Sequence, residues 1–139
     1  MQVQQNISSS PQVFFMPNVF NETCQLLQDA RDYFQSYGAE DQEQCSVDVR
    51  AIYTSEMSRI TLRLSTIMAW TIAQRAVHAG KISPEEAITY HGLTYQDACL
   101  VDSSVLHGIL PTYVCYLLDR SFELYERVSR LDGQLKRIH

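Results

Sequence analysis

The feature that most constrains the fold is an uninterrupted segment, residues 46–79, which contains neither glycine nor proline. Residues of one face recur in it alternately four and three positions apart, which is the spacing of a helix that packs along a narrow stripe. These positions are Tyr53, Met57, Ile60, Leu64, Ile67, Thr71 and Gln74. A second series of the same spacing comprises Val114, Leu117, Ser121, Leu124, Val128, Leu131 and Leu135. Two long helices that each present such a stripe need packing partners, so the sequence predicts an all-α bundle.

A further apolar pattern of helical spacing follows the polar residues 1–11, which we expect to form a disordered tail. Because proline is tolerated in the first turn of a helix, we place the start of this first long helix near Pro17. We place its end before Gly38, since glycine is typical of left-handed helix stops. The polar residues 39–44 then form an exposed connector.

The second and third long helices have their own boundary signals. Ser46 is predicted to cap the start of the second helix and Gly80 to end it. Pro111 opens the third helix, which continues to about Leu135. At 139 residues the chain has the size of one domain. We therefore predict a single domain, residues 1–139, folded as an antiparallel three-helix bundle.

The connection between the second and third long helices is predicted to contain one or two short helices. The run Ser-Pro-Glu-Glu that opens residues 83–90 combines an N-cap, a first-turn proline and the glutamate of a capping box, which predicts a short helix over the rest of this range. Thr94 and Asp97 are spaced to cap a second short helix that ends near Gly108. A mobile functional loop over residues 91–110 is the alternative.

Charge and composition disfavour several classes of function. The net charge of −5 argues against a nucleic-acid-binding surface, because affinity for phosphate comes mostly from clustered lysine and arginine. No apolar run approaches the about 20 residues of a membrane span, and the N-terminus lacks the basic start and apolar core of a secretory signal. We therefore expect a cytoplasmic protein with neither membrane nor nucleic-acid partners.

The four cysteines, at positions 24, 45, 99 and 115, contain no Cys-x-x-Cys pair. In a reducing compartment we expect them to be buried free thiols rather than disulfides. The four histidines are scattered through the sequence, without the paired ligands at short spacing that mark structural zinc sites. We expect neither a metal nor a cofactor.

The segment that contains Asp102, Ser103, Ser104 and His107 holds the residue types of a catalytic triad. Adjacency in one segment does not supply triad geometry, and serine and aspartate populate turns because their side chains hydrogen-bond the local backbone. Since no other nucleophile is paired with a base and no glycine-rich phosphate loop is present, we predict that the chain is not an enzyme.

A polar and aromatic strip lies beside the apolar face of the second helix. This polar strip comprises Glu56, Arg59, Arg63, Thr66 and Trp70, which again recur three and four residues apart. Arginine and tryptophan are enriched at binding hot spots, so one interpretation is a protein-binding face formed by Arg59, Arg63 and Trp70. The alternative is a solvated face on which Trp70 packs at the edge of the core.

The third helix carries two further patterns. Leu118, Phe122 and Tyr125 widen its apolar face, which either completes the core of a three-helix bundle or forms a homodimer surface. Elsewhere on the helix, acidic residues precede basic residues by four positions, which is typical of a solvated face with stabilising ion pairs. These pairs are Glu123 with Arg127, Glu126 with Arg130 and Asp132 with Lys136.

Two helices carry a pattern that resembles the alphaproteobacterial regulator of CtrA degradation family. The pattern of the second helix is a tyrosine, a glutamate, two arginines four apart, a tryptophan seven residues later and a Gln-Arg-Ala-Val run. Here these are Tyr53, Glu56, Arg59, Arg63, Trp70 and residues 74–77. The third helix carries the family-like runs Leu-Tyr-Glu-Arg-Val at 124–128 and Arg-Leu-Asp at 130–132. One departure is that Met57 precedes Ser58, where the family-like order is the reverse.

The resemblance implies a compact three-helix bundle that forms a homodimer and has no enzymatic activity. It further implies an adaptor that helps the ClpXP protease receive substrates, including the cell-cycle regulator CtrA, in concert with other adaptor proteins. Residues 91–110 are then a second candidate docking surface. Two other functions stay open from the residues alone: a cytoplasmic scaffold for an unrelated protein partner, and a bundle that binds a small ligand between its helices.

Overall fold

The computed structural model of the protein describes residues 11–93 and 99–138. A five-residue π-helix, Phe34–Gly38, joins the first two α-helices, and a 3-10 turn, Ser104–Leu106, precedes the last one. The α-helices are α1 (Pro11–Tyr33), α2 (Ala39–Glu43), α3 (Val47–His78), α4 (Pro84–His91) and α5 (Thr112–Ile138). The predicted all-α class, with three long helices and a short helix between the second and third, is confirmed.

The first helix runs antiparallel to both other long helices. Tyr33, at the end of α1, accepts a hydrogen bond of 3.1 Å from Tyr53, near the start of α3. Phe20, in the first half of α1, has its ring centroid 3.8 Å from the guanidinium carbon of Arg75, near the end of α3. The ring of Tyr33 also stacks on Tyr113, in the first turn of α5, with centroids 5.2 Å apart. The end of α1 therefore meets the starts of α3 and α5.

The helices α3 and α5 run parallel, which corrects the antiparallel arrangement expected for this pair. Arg63 of α3 donates to the Ser121 hydroxyl of α5 over 3.1 Å. Trp70, about two turns further along α3, donates to Asp132, about three turns further along α5, over 3.0 Å. Contacts that advance together along both helices require parallel axes. The spacing of an apolar face is the same in either direction, so periodicity did not reveal this.

The crossover, residues 79–111, carries the chain from the end of α3 back to the start of α5. Because α3 has 32 residues, it is about 48 Å long, and a parallel partner requires a return over most of that length. Lys136, near the end of α5, donates to the backbone carbonyl of Leu93 over 3.2 Å. Ser103 donates to Glu56, near the start of α3, over 2.9 Å. The crossover therefore runs back along the bundle, antiparallel to α3.

The predicted short helix is confirmed as α4, at the beginning of the crossover. Its capping box is complete, because Ser83 Oγ accepts from the Glu86 amide over 3.0 Å and the Glu86 carboxylate accepts from the Ser83 amide over 3.4 Å. The start of the second short helix predicted from Thr94 and Asp97 lies outside the described residues. Over residues 99–108, where it was expected to continue, the structure has no continuous helix, so this part of the prediction is wrong. Further along, a 3-10 turn is followed by Gly108, which has a φ of 92°.

Boundary signals predicted the ends of α3 and the start of α5 correctly. Ser46 Oγ accepts a hydrogen bond of 3.3 Å from the amide of Val49, which confirms the N-cap of α3. Gly80, with a φ of 75°, follows the end of that helix. The helix α5 begins directly after Pro111 and continues to Ile138, slightly beyond its predicted end.

The first helix is longer at both ends than predicted. It begins at Pro11 rather than near Pro17, so the proline in its first turn is the earlier one. Residues 1–10, most of the expected disordered tail, lie outside the described residues. At the other end, helical structure continues through the π-helix and α2 to Glu43, so the connector predicted over residues 39–44 is largely helical.

Gly38 does not stop the first helix because it has a right-handed conformation, with a φ of −59°. The residue is buried, and a Cβ atom in its place would lie 3.3 Å from the Phe34 ring and 3.6 Å from the Tyr53 hydroxyl. Glycine therefore serves close packing against α3 here, rather than a left-handed turn.

The two predicted apolar faces form the core of the bundle. Gln74, Leu131 and Leu135, at the far end of each series, are half-buried. The other members of both series are buried: Tyr53, Met57, Ile60, Leu64, Ile67, Thr71, Val114, Leu117, Ser121, Leu124 and Val128. Met57 is thus a core residue, whereas Ser58 is exposed. None of the described helices has the length and apolarity that a membrane span requires.

The wider face of α5 packs within the single chain. Leu118 and Tyr125 are buried and Phe122 is half-buried, as expected if this face completes the bundle core. Asp132 was expected on a solvated face, but only 2% of it is exposed. It does pair with Lys136, with Asp132 Oδ2 2.9 Å from Lys136 Nζ.

Two expectations about polar groups need correction. Arg127 was expected to pair along its own helix, but it binds Glu22 of α1. The cysteines were all expected to be buried, yet only Cys99 and Cys115 are; Cys24 is exposed and Cys45 is half-buried. None of the four, all of which lie in the described ranges, takes part in a disulfide.

A hydrogen-bond chain fixes the π-helical end of α1 to α3. Tyr53 donates to the Tyr33 hydroxyl over 3.1 Å, and Tyr33 donates to Asp41 Oδ2 over 2.6 Å. Burial raises the pKa of Tyr33 well above its usual value of about 10, and the hydrogen bond to Asp41 raises it further. The Tyr33 phenol therefore stays protonated in the folded protein at pH values at which an unfolded tyrosine ionises.

We predict that Tyr33→Phe lowers the free energy of unfolding at pH 7 by about 1–2 kcal/mol, because Asp41 loses a donor and Tyr53 an acceptor. A raised folded-state pKa stabilises the protein below pH 10 and is lost as the pH rises above it. The cost of Tyr33→Phe should therefore shrink between pH 9 and 11. Urea denaturation at several pH values measures this, with the exposed Tyr37→Phe as control. A cost that stays constant up to pH 11 contradicts the prediction.

Candidate functional site

The polar strip lies mainly inside the bundle. The exposed fraction is 0% for Arg63, 2% for Trp70 and 6% for Glu56. Arg59 is less enclosed, with 16% of its side chain exposed. The partner-binding interpretation required exposed side chains, and the alternative placed Trp70 at the edge of the core but the other side chains in solvent. The structure instead directs these side chains to groups of the same chain.

Arg63 joins the crossover to both long helices. Its Nε donates to the Cys99 carbonyl over 2.9 Å and its Nη2 to the Val101 carbonyl over 2.7 Å, both in the crossover. Its Nη1 donates over 3.1 Å to the Leu118 carbonyl and over the same distance to the Ser121 hydroxyl, both in α5. One rigid guanidinium thus satisfies three carbonyls, two of which belong to the crossover.

The acceptors of these four hydrogen bonds are neutral carbonyl and hydroxyl oxygens, so none of them is a carboxylate that would neutralise the charge of Arg63. Burial lowers the pKa of Arg63 to about 10, and the neighbouring charge of Arg59 also lowers it. The side chain therefore remains protonated near neutral pH. The Phe122 ring lies 5.2 Å from the guanidinium carbon, a distance at which a cation is attracted to an aromatic face.

Glu56 connects the start of α3 to the crossover. Arg59 Nε donates to Glu56 Oε2 over 2.9 Å, and Arg59 Nη2 donates to Glu56 Oε1 over 3.3 Å. Ser103 Oγ donates to the same Oε2 over 2.9 Å. The guanidinium of Arg59 thus compensates the charge of this carboxylate. Through Ser103, the carboxylate also fixes the crossover two residues after Val101, the last crossover residue that Arg63 binds.

Trp70 anchors the far end of the same arrangement. Its indole Nε1 donates to Asp132 Oδ1 over 3.0 Å, while Lys136 Nζ lies 2.9 Å from Asp132 Oδ2. Lys136 also donates to the Leu93 carbonyl over 3.2 Å. The strip and its partners therefore contact the described crossover at three levels along the bundle.

The outer side of the crossover carries exposed apolar side chains. Val105 is 80% exposed, Ile109 50% and Val101 43%. Large apolar side chains that a fold holds in solvent on a loop fixed from beneath are typical of binding surfaces. We take the crossover from Cys99 to Leu110, with its anchors in the polar strip, as the candidate functional site.

Sequence reasoning missed several members of this site. Ser103 was interpreted as a turn residue and Asp132 as part of a solvated face. A signal for the burial of Asp132 was available, because it follows the apolar-face residue Tyr125 by seven positions and so lies on the same side of the helix. Val101, Val105 and Ile109 recur every four residues, but nothing in one sequence shows that they face solvent. Direct contact of Arg59, Arg63 or Trp70 with a partner stays a prediction.

The structure does not assemble the triad residue types. Ser103 binds Glu56, and His107 Nε2 lies 3.1 Å from Asp119 Oδ1 of α5. The carboxylate of Asp102 accepts from the Ser104 amide over 2.9 Å, which is a local turn contact. In the ranges that the structure describes, no group of three or more histidine, cysteine, aspartate or glutamate side chains is arranged to hold a metal ion.

We predict that Arg63→Lys lowers the free energy of unfolding by about 3 kcal/mol, because one ammonium cannot replace a guanidinium that binds on several sides in the core. The exposed Arg31→Lys, whose pair with Asp32 is solvated, should change it by less than about 0.5 kcal/mol. Urea denaturation of both variants measures the difference. Equal effects of the two substitutions contradict the assigned role of Arg63.

Comparisons with known proteins agree with the resemblance noted in the sequence. The family model described as "Protein of unknown function (DUF1465)" matches residues 8–138. No curated protein matches the chain. Among solved structures, RcdA from Caulobacter crescentus CB15 superposes with a TM-score of 0.70 at 30% sequence identity, over 87% of this chain and 90% of that one. The chain therefore belongs to the DUF1465 family, the family of RcdA.

Proposed function

We propose that the protein is a non-enzymatic adaptor in regulated proteolysis, which helps deliver cell-cycle regulators similar to CtrA to the ClpXP protease. Membership of the RcdA family supports an adaptor or regulator. The family resemblance, rather than any contact in the structure, supplies the protease and the substrate class. On the same ground we propose that the protein acts in the cytoplasm as a homodimer, alone or with further adaptors.

The observation that carries the proposal is the crossover fixed from beneath and apolar on its outer side. A loop that already has its bound conformation loses little entropy on association, so its exposed side chains contribute more fully to affinity. Val105 and Ile109 are the side chains that we assign to the contact with the protease or a co-adaptor. Holding substrate and protease together raises their effective concentration without any new chemistry.

The polar strip has an indirect part in this proposal. Arg63 and Trp70 are too deeply buried to touch a partner in this conformation, so we assign them to holding the crossover in place. Arg59 has the most exposed side chain of the three residues predicted to bind a partner, and Glu56 links it to Ser103 by hydrogen bonds. Loss of Arg63 should therefore weaken partner binding through the crossover.

The chain offers a closely matched pair of variants. Val105→Asp with Ile109→Asp changes the crossover, whereas Val47→Asp with Ile72→Asp changes a valine that is 77% exposed and an isoleucine that is 55% exposed on α3. Both pairs replace similar side chains at similar exposure with two negative charges. We predict that only the crossover pair weakens capture of the protease machinery, by about tenfold or more.

The measurement is the half-life of the CtrA-like regulator after its synthesis is stopped, in cells that lack the wild-type protein and express one variant pair. The crossover pair should lengthen the half-life, and the α3 pair should restore the wild-type value. Two outcomes contradict the proposal. They are an unchanged half-life when the protein is removed altogether, and equal effects of the two pairs when both variants fold.

A further inference from the structure

A second surface lies where α1, the π-helix and the start of α5 meet. It is a groove of about 440 Å³ that we call the tyrosine groove. Its lining combines three phenol rings with three carboxylates: Tyr33, Tyr37, Tyr113, Asp29, Asp32 and Asp41. The π-helix Phe34–Gly38 forms one edge, and π-helical turns occur frequently at functional sites.

The aromatic rings form a continuous series beside this groove. Tyr33 and Tyr113 stack with centroids 5.2 Å apart and planes 23° from parallel. Tyr116 continues the series, 5.4 Å from Tyr113. Tyr33 is buried, but Tyr37 is 62% exposed and Tyr113 39% exposed, so the groove presents ring surface to solvent. Such faces attract lysine and arginine side chains.

The groove is also electronegative. Burial raises the pKa of Tyr113, and the negative charges of Asp29 and Asp32 raise it further, so both carboxylates act on the same ring. Asp29 accepts from Gln25 of its own helix over 2.9 Å. Asp32 pairs with Arg31 at 3.3 Å, and since both side chains are more than half exposed, solvent weakens that pair.

The tyrosine groove continues toward the crossover. A neighbouring groove shares Asp41 and Tyr113 with it and is lined further along by Ile109, Leu110 and Pro111. The tyrosine groove therefore leads directly to the exposed Ile109 of the crossover, which belongs to the candidate functional site. Such a path suits an extended chain better than a compact ligand.

We propose that the tyrosine groove binds an extended, basic peptide segment of a protein partner, with a lysine or arginine side chain held between Tyr113 and the carboxylates of Asp29 and Asp32. The occupant is chosen by charge complementarity and by the continuity of the groove with the crossover. The proposal adds a partner chemistry to the docking surface, but it does not require delivery to a protease.

The probe is the labelled peptide GRKRLG, titrated into the full chain and followed by fluorescence anisotropy and by amide resonances. We expect resonances of residues 29–41 and of Tyr113 to shift. Asp29→Asn with Asp32→Asn should weaken binding about tenfold. Glu85→Gln with Glu126→Gln removes the same charge at exposed positions elsewhere and should change the affinity by less than about twofold.

The ring itself is tested separately. Tyr113→Phe keeps an aromatic face and should bind as wild type, whereas Tyr113→Leu should bind several-fold more weakly. Peptide binding to the full chain needs neither protease nor substrate, whereas the half-life of the CtrA-like regulator needs both, so failure of the proposed protease delivery and failure of this inference are distinguishable. The inference is overturned if the peptide does not bind, if an analogue with norleucine at its three basic positions binds equally well, or if both carboxylate pairs have the same effect.

Discussion

The structure depends on one buried guanidinium. Because α3 and α5 run parallel, the crossover returns along the bundle and turns backbone carbonyls toward the core, where carbonyls without donors are costly. Arg63 donates at the same time to the carbonyls of Cys99 and Val101 in the crossover and to the Leu118 carbonyl in α5. The parallel arrangement of α3 and α5 thus requires the crossover, and the crossover supplies carbonyl acceptors that the buried arginine binds.

The remaining polar contacts extend this solution along the bundle. Glu56 fixes the crossover through Ser103 near the start of α3, and Lys136 fixes it at Leu93 near the end of α5. A segment held at several levels can display apolar side chains without collapsing onto the core. The proposed adaptor function uses this rigidity, because the contacts with a partner then require little further ordering. The tyrosine groove adds a charged surface next to the same segment.

Sequence patterns predicted what depends on local spacing. The core faces of α3 and α5, the capping box at Ser83 and the N-cap at Ser46 follow from residues within one or two turns of each other. The patterns failed where distant residues decide. Gly38 was expected to stop a helix, but its contact with Tyr53, from another helix, sets its role. The burial of Arg63 depends on acceptors 36 to 58 positions away, which no local pattern reveals.

Amide hydrogen exchange of the wild-type protein tests the anchored crossover most directly. The amides of Leu106, Ile109 and Leu110 donate to backbone carbonyls within the crossover over 2.9 to 3.1 Å. If the polar strip holds this segment, these amides should exchange with opening free energies close to those of the α3 core. Exchange of these amides at nearly unprotected rates, while α3 stays protected, would contradict the account.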